Sequence, residues 1–138
     1  MRAVTSLMRV HQLVLTELDE LLRPLGLTFA RYEVLVLLSF SRHGALPLGK
    51  IGERLQVHAT SVTPLVKRLE MAELILRTKH PEDGRAVLAS ITPKGREVVQ
   101  QATDAIVAAQ FALSSMSEAE CDDLTALLRS PREAAGDF

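Results

Sequence analysis

Apolar residues recur at three- and four-residue steps over residues 4–25. Leu7, Val10, Val14, Leu18, Leu21 and Leu25 form the stripe, and Leu13 and Leu22 widen it. This spacing predicts a long amphipathic helix that Pro24 and Gly26 bring to an end. So apolar a stripe on a terminal helix needs a covering surface, either the chain's own domain or a second copy. Thr28 is placed to cap a second helix, Phe29 to about Phe40, with Glu33 near its positive end. Tyr32 and the run from Val34 to Leu38 make that helix apolar nearly all round, which predicts a central, buried element. Residues 41–44 (Ser-Arg-His-Gly) form a break, and Leu46-Pro-Leu48 reads as a short extended piece because the residue before proline avoids helix.

Lys50 to Leu55 predicts a short helix with Ile51 and Leu55 inward, and residues 56–58 a turn. His58 to about Ala72 predicts the next helix. Val62, Leu65, Val66 and Leu69 lie on one side of it, and Thr60, Ser61, Thr63, Pro64, Lys67 and Arg68 on the other. Pro64 removes one N–H, so the helix is expected to start irregularly or late, near Thr60 or Ser61. Leu74 to Lys79 and Val87 to Ile91 read as paired strands around a turn at His80–Arg85 rich in turn residues. Thr92-Pro93 opens a long helix expected to reach about Ser115, with Gly95 a mild liability in its first turn. Residues 117–120 (Ser-Glu-Ala-Glu) form a capping box before a last helix carrying Leu124, Leu127 and Leu128, and Ser130 to Phe138 reads as a frayed tail.

Composition narrows the class. The chain has 138 residues, 47% hydrophobic and 24% charged, which fits one folded domain with a real core. No apolar run approaches the roughly 18–20 residues that span a bilayer, and no signal peptide is discernible, so a cytoplasmic protein is expected. One cysteine, Cys121, rules out an internal disulfide framework or a cysteine zinc cluster. The net charge of −1 conceals a division. Residues 42–96 hold ten basic residues against five acidic ones, a net of +5, and the remainder holds six against twelve, a net of −6. A basic middle between acidic ends suits a chain that presents one segment to a polyanion.

The element order is helix, turn, helix with a polar outer face, strand, charged hairpin, strand: a helix-turn-helix followed by a β-wing. The major groove of duplex DNA is about 12 Å wide and admits one α-helix. Thr60, Ser61 and Thr63 are short donors and acceptors that let a helix approach base edges closely. Pro64 offers a flat surface to a thymine methyl, while Lys67 and Arg68 have the length to reach phosphate or a guanine edge. Arg85 at the hairpin tip suits a narrow minor groove, with Asp83 placed to brace the guanidinium or the tip backbone and Lys79 beside them.

From Leu27 to Gly95, half the chain, the sequence resembles the MarR family of bacterial winged-helix transcription regulators. Carrying the resemblance are Gly26-Leu27-Thr28, Ile51-Gly-Glu-Arg-Leu55 and residues 61–70 (Ser-Val-Thr-Pro-Leu-Val-Lys-Arg-Leu-Glu). Residues 81–88 with the Asp-x-Arg wing signature at Asp83 and Arg85 follow, and Ile91-Thr-Pro-Lys-Gly95 closes the match. The resemblance implies a mainly α fold with a small β-wing. A winged helix-turn-helix DNA-binding lobe would span 27–95, and helical dimerisation regions 1–26 and 96–138, all in one domain 1–138. It also implies a homodimer on a roughly palindromic operator, and repression relieved by a small, often phenolic, ligand or by oxidation. His58 departs from the family pattern where a small capping residue is usual, and Glu73 where a glycine often closes the recognition helix. The Val-Thr-Pro-Leu run is similar to the organic-peroxide-sensing branch. That branch keeps a reactive cysteine in the first helix, and this chain has none there.

Three other readings compete with this one. A redox regulator would have to use Cys121, whose neighbours Glu118, Glu120, Asp122 and Asp123 disfavour the reactive thiolate. A protein-binding winged helix is the second, against which the +5 segment stands. Catalysis needs a nucleophile with a base or a metal cluster. His11, His43, His58 and His80 are scattered without ligand spacing, and no glycine-rich phosphate loop is present, so no enzyme, metal or cofactor is expected. Apolar and aromatic residues beside polar ones, His11, Phe29, Tyr32 and Phe111, are the candidate lining of an effector site.

Overall fold

The computed structural model describes residues 1–137. Helix α1 runs Arg2–Leu22 and ends in a 3-10 turn, Arg23–Leu25, closed by Gly26 at φ +70°. Helix α2 (Phe29–Phe40) follows, then strand β1 (Ala45–Pro47), α3 (Leu48–Leu55), α4 (Ala59–Met71), β2 (Ile75–Lys79), β3 (Val87–Ile91), α5 (Pro93–Ala108) and α6 (Glu118–Ala134). The fold is 68% helix with a three-stranded antiparallel sheet. Strand β3 is central, pairing Ala45↔Ser90 with β1 and Leu76↔Ser90 with β2. The extended piece expected around Pro47 is therefore the sheet's third strand.

Helix α2 is the hub, in contact with α1, α3, α4, α5 and the sheet. Tyr32, Val34, Leu35 and Leu38 are buried, as its all-round apolarity predicts. Thr28 caps it by accepting from Arg31 N–H, and Asp19 of α1 adds a bond at 2.6 Å from Phe29 N–H. Ile51, Val62, Val66, Leu69, Ile75 and Ile106 complete the core, each almost wholly removed from water. Burial of side chains of this size stabilises by about 1.5–3 kcal/mol apiece.

The stripe of α1 divides in two. Leu18 and Leu22 pack into the core, while Val4 and Leu13 are 65% and 66% exposed and Leu7, Met8 and Val10 are also open. Helix α6 has no buried residue, and its Leu127 is 76% exposed.

Four expectations are corrected. Helix α4 starts at Ala59 and runs through Pro64 without a break. One lost N–H bond is tolerated because Val62, Val66 and Leu69 anchor the helix from behind. The long helix stops at Ala108, well before Ser115: Gln110, Phe111 and Ala112 take φ of 50°, 53° and 60°, a left-handed turn. No glycine or proline marks that turn in sequence, and it packs against α1. Residues 130–134 of the expected frayed tail are helical, and α6 continues through Pro131 (Phe138 lies outside the described residues). Gly95, finally, is a required contact point and not a liability.

A side-chain carbon at Gly95 would collide with the Leu74 carbonyl oxygen and press on Ile91. In an ordinary helix, glycine to alanine gains about 0.5–1 kcal/mol. Here Gly95→Ala is expected to cost about 1–3 kcal/mol instead. The urea midpoint reads the sign directly, and a raised midpoint would remove the close approach from the account.

Candidate nucleic-acid interface

The two faces of α4 separate cleanly. Val62, Val66 and Leu69 are buried, whereas Thr60, Ser61, Thr63, Pro64, Lys67 and Arg68 are all exposed. Thr60, Thr63, Pro64 and Lys67 stand at one-turn spacing and so share a face. The start of α4 is capped by His58, whose Nδ1 accepts from Thr60 N–H at 3.3 Å and lies 2.8 Å from Thr60 Oγ1. An imidazole thus replaces the small capping residue. For Nδ1 to accept, the ring proton must sit on Nε2. The Thr60 hydroxyl then donates to Nδ1 and keeps its lone pairs for an outside donor, such as an adenine or cytosine amino group.

The far end of α4 is tied to both neighbouring elements. Glu73 takes φ +61° in the position where glycine is favoured, and Leu74 N–H closes back on Leu69 O at 3.0 Å. Its left-handed backbone costs about 1–2 kcal/mol. Three contacts from α5's first turn offset that: Thr92 Oγ1 donates to Glu73 O at 2.8 Å, Lys94 Nζ to Ala72 O at 2.9 Å, and Lys94 pairs with Glu73 Oε2 at 3.3 Å. Glu70 accepts Arg77 Nε at 2.7 Å, strapping α4 to β2. The hydrogen bond from Arg77 holds the Glu70 carboxyl below its ordinary range. With a lowered folded value, this contribution is present at neutral pH and is lost as pH falls through that value.

In the wing, His80 N–H bonds Ala86 O at 2.9 Å and closes the hairpin. Asp83 Oδ1 accepts Arg85 N–H at 3.0 Å, so Asp83 braces the tip backbone and not the guanidinium. Residues 81–85 are exposed, and the Arg85 side chain has no partner among the described residues. Within 42–96, Lys50, Arg77 and Lys94 pair with Glu53, Glu70 and Glu73. Lys67, Arg68, Lys79 and Arg85 face solvent without a carboxylate partner among the described residues. Arg54, on the exposed side of α3, joins them and had no motif to announce it. Three of the five acids of this segment are thus paired, Glu82 and Asp83 stay exposed at the wing tip, and the unpaired excess is still cationic.

The effector candidates do not converge on one cavity. His11 and Phe29 line a cavity of about 410 Å³ between α1 and α2, together with Val14, Leu15, Leu18, Ala30 and Glu33. Tyr32 lines a separate groove of about 310 Å³ between α2 and α5, where its hydroxyl meets Thr103 Oγ1 at 3.0 Å. Phe111 sits on the left-handed turn and lines neither. Glu33 is the residue sequence reasoning passed over. A single carboxylate on an otherwise apolar helix was the available signal.

The MarR family profile matches residues 27–87. The organic hydroperoxide resistance transcriptional regulator of Bacillus subtilis is 38% identical over 84 residues, covering 61% of this chain and 56% of that protein. The chain thus spans little more than half the length of the curated relatives it matches. The crystal structure of Sco5413, a MarR family transcriptional regulator from Streptomyces coelicolor, is 51% identical with a TM-score of 0.94. That likeness covers 100% of this chain and 96% of that one. The chain belongs to the MarR family. Sco3205 from the same organism, another MarR family regulator crystallised in complex with DNA, shares the fold at 23% identity and a TM-score of 0.86, over 96% of this chain and 88% of that one. The MarR assignment and the mainly α architecture with its wing agree with the sequence reading.

The unusual cap carries a measurable consequence. His58→Ala is expected to lose about 1 kcal/mol of stability, while His58→Asn retains it. Equal urea midpoints for the two variants would show that the imidazole does not cap α4.

Proposed function

We propose that the chain is a sequence-specific duplex-DNA-binding transcriptional regulator, a cytoplasmic repressor acting as a homodimer on a roughly palindromic operator. In this reading residues 27–95 form the DNA-binding lobe, and 1–26 with 96–138 the dimerisation region. Helix α4 enters the major groove. Thr60, Ser61, Thr63 and Pro64 meet base edges there, and Lys67 and Arg68 meet phosphate or guanine. Arg85 enters the adjacent minor groove, with Lys79 on the flanking backbone and Asp83 holding the tip. The observation that carries this is the unpartnered Arg85 at a braced, exposed tip, beside a helix whose outer face is wholly solvent-facing. The uncovered apolar residues of α1 and α6 support the second copy. Among the described residues no helix is long and apolar enough to cross a membrane.

A small effector belongs to this reading, with phenolic compounds the class that the family resemblance implies. Its site is the α1–α2 cavity, between a helix of the dimerisation region and a helix of the DNA-binding lobe. Two rivals are weaker. A protein-binding winged helix leaves the cationic excess without a purpose. A redox switch has only Cys121, half-buried on α6 and remote in sequence from the reading head.

Sequencing the DNA fragments retained by the purified protein identifies the operator and its symmetry. Arg85→Ala is then expected to weaken operator binding by about 1–3 kcal/mol, and Lys67→Ala to reduce the salt slope by about one. Thermal stability is expected to be unchanged in both, because neither side chain has a partner among the described residues. Operator affinity unchanged in Arg85→Ala, by fluorescence anisotropy, would refute the wing's role.

A further inference from the structure

The α1–α2 cavity has a charge character that selects its occupant. Its walls are apolar at Val14, Leu15, Leu18 and Ala30, with the Phe29 ring alongside. Glu33 brings a half-buried carboxyl to that lining with no hydrogen bond or ion pair among the described residues. Asp19, outside the lining, is engaged in accepting Phe29 N–H at 2.6 Å. Among the described residues no lysine or arginine lines the cavity, and His11 is the other titratable group in the lining. The nearest cation in sequence, Arg31, is occupied with Thr28 Oγ1 at 3.2 Å and Gly26 O at 2.9 Å.

A carboxylic acid ligand entering this space would meet the Glu33 carboxyl and no lysine or arginine among the described residues. A ligand with a cationic end meets the reverse conditions. Its charge pairs with Glu33, its apolar body lies against Leu15 and Leu18, and the face of Phe29 adds a cation–π contact. A volume of about 410 Å³ accommodates a single-ring amphiphile. We infer that the α1–α2 cavity binds an aromatic or alkyl-chain monocation, a protonated amine or quaternary ammonium, through Glu33. This rests on the effector reading above for the site, and it replaces the phenolic class that the family resemblance implies with bases. Burial also raises the Glu33 carboxyl above its ordinary range, and a bound cation would relieve that cost.

Two nearly isosteric probes test it on the intact full-length protein: 4-phenylbutylamine and 4-phenylbutanoate at neutral pH. The amine is expected to raise the thermal midpoint and to bind by calorimetry, while the carboxylate does neither. Glu33→Gln should weaken the amine about tenfold. Ala30→Leu, which fills the cavity without touching the charge, should abolish its binding and serves if the Glu33 variant fails to fold. Equal or tighter binding of the carboxylate, amine binding that survives both substitutions, or binding of neither probe would overturn the assignment. Operator affinity of the unliganded wild type, measured on the same preparation, reports separately on the regulator reading. Its loss refutes that reading, and its retention beside a negative probe result confines the failure to the cavity.

Discussion

The corner where α4 turns into β2 is the constraint on which the placement of α4 beside the wing depends. Glu73 occupies a left-handed backbone that a non-glycine residue resists, and Leu74 folds back onto Leu69. Left alone, that corner would relax. It is held because the first turn of α5 grips it from three sides: the Thr92 hydroxyl on the Glu73 carbonyl, the Lys94 ammonium on Ala72 O and the Glu73 carboxylate, and Gly95 in direct contact with Leu74 O. The absence of a side chain at Gly95 lets the helix come that close. The corner that follows α4 is therefore held by α5, while α2, α3 and β2 pack against the helix itself. A rotation of α4 relative to α5 has to break a strained corner, not slide along a soft interface.

Charge follows the same division of labour. The lobe carries few acids, and the best placed of them are consumed in straps: Glu53 with Lys50, Glu70 with Arg77, Glu73 with Lys94. Exposed pairs of this kind add little stability individually. They leave Lys67, Arg68, Lys79 and Arg85 without a carboxylate partner among the described residues, with Glu82 and Asp83 exposed beside Arg85. Glu118, Glu120, Asp122 and Asp123 sit on α6, outside the lobe. A chain of net charge −1 thus carries its positive excess in residues 42–96, the segment a polyanion would favour.

Much of this was legible beforehand, for identifiable physical reasons. The 3.6-residue period, the caps at Thr28, Thr92 and Ser117, and the turn residues at the wing are local signals, and all three helices open where their caps stand. The failures are tertiary. Pro64 carries a helix-breaking propensity that core anchoring of α4 overrides. The left-handed turn at Gln110–Ala112 follows from contact with α1 and leaves no mark in residues able to continue a helix. Tyr32 and Phe29 are three residues apart, with ring centroids 5.9 Å from each other, yet they face different cavities, because α2 is surrounded on every side. A helix buried all round has no single inner face, so composition alone could not divide its residues between sites.

That same centrality supplies a route from cavity to reading head. One wall of the α1–α2 cavity is α1, whose N-terminal half leaves apolar side chains exposed; the other wall is α2, which rests on α4 and α5. Phe29 and Ala30 are the first residues of α2, and Asp19 of α1 holds Phe29 N–H. An occupant that spreads the two helices strains this bond first. The close-packed interior below gives α2 no room to absorb a shift locally, so displacement passes to the elements it carries. Tight binding alone would accomplish nothing. In the proposed regulator a ligand would move the equilibrium between two arrangements only by the difference in its affinity for them. A cavity whose opposing walls are α1 and the helix that carries α4 changes shape whenever those parts move relative to each other, and that change of shape would be the source of the difference.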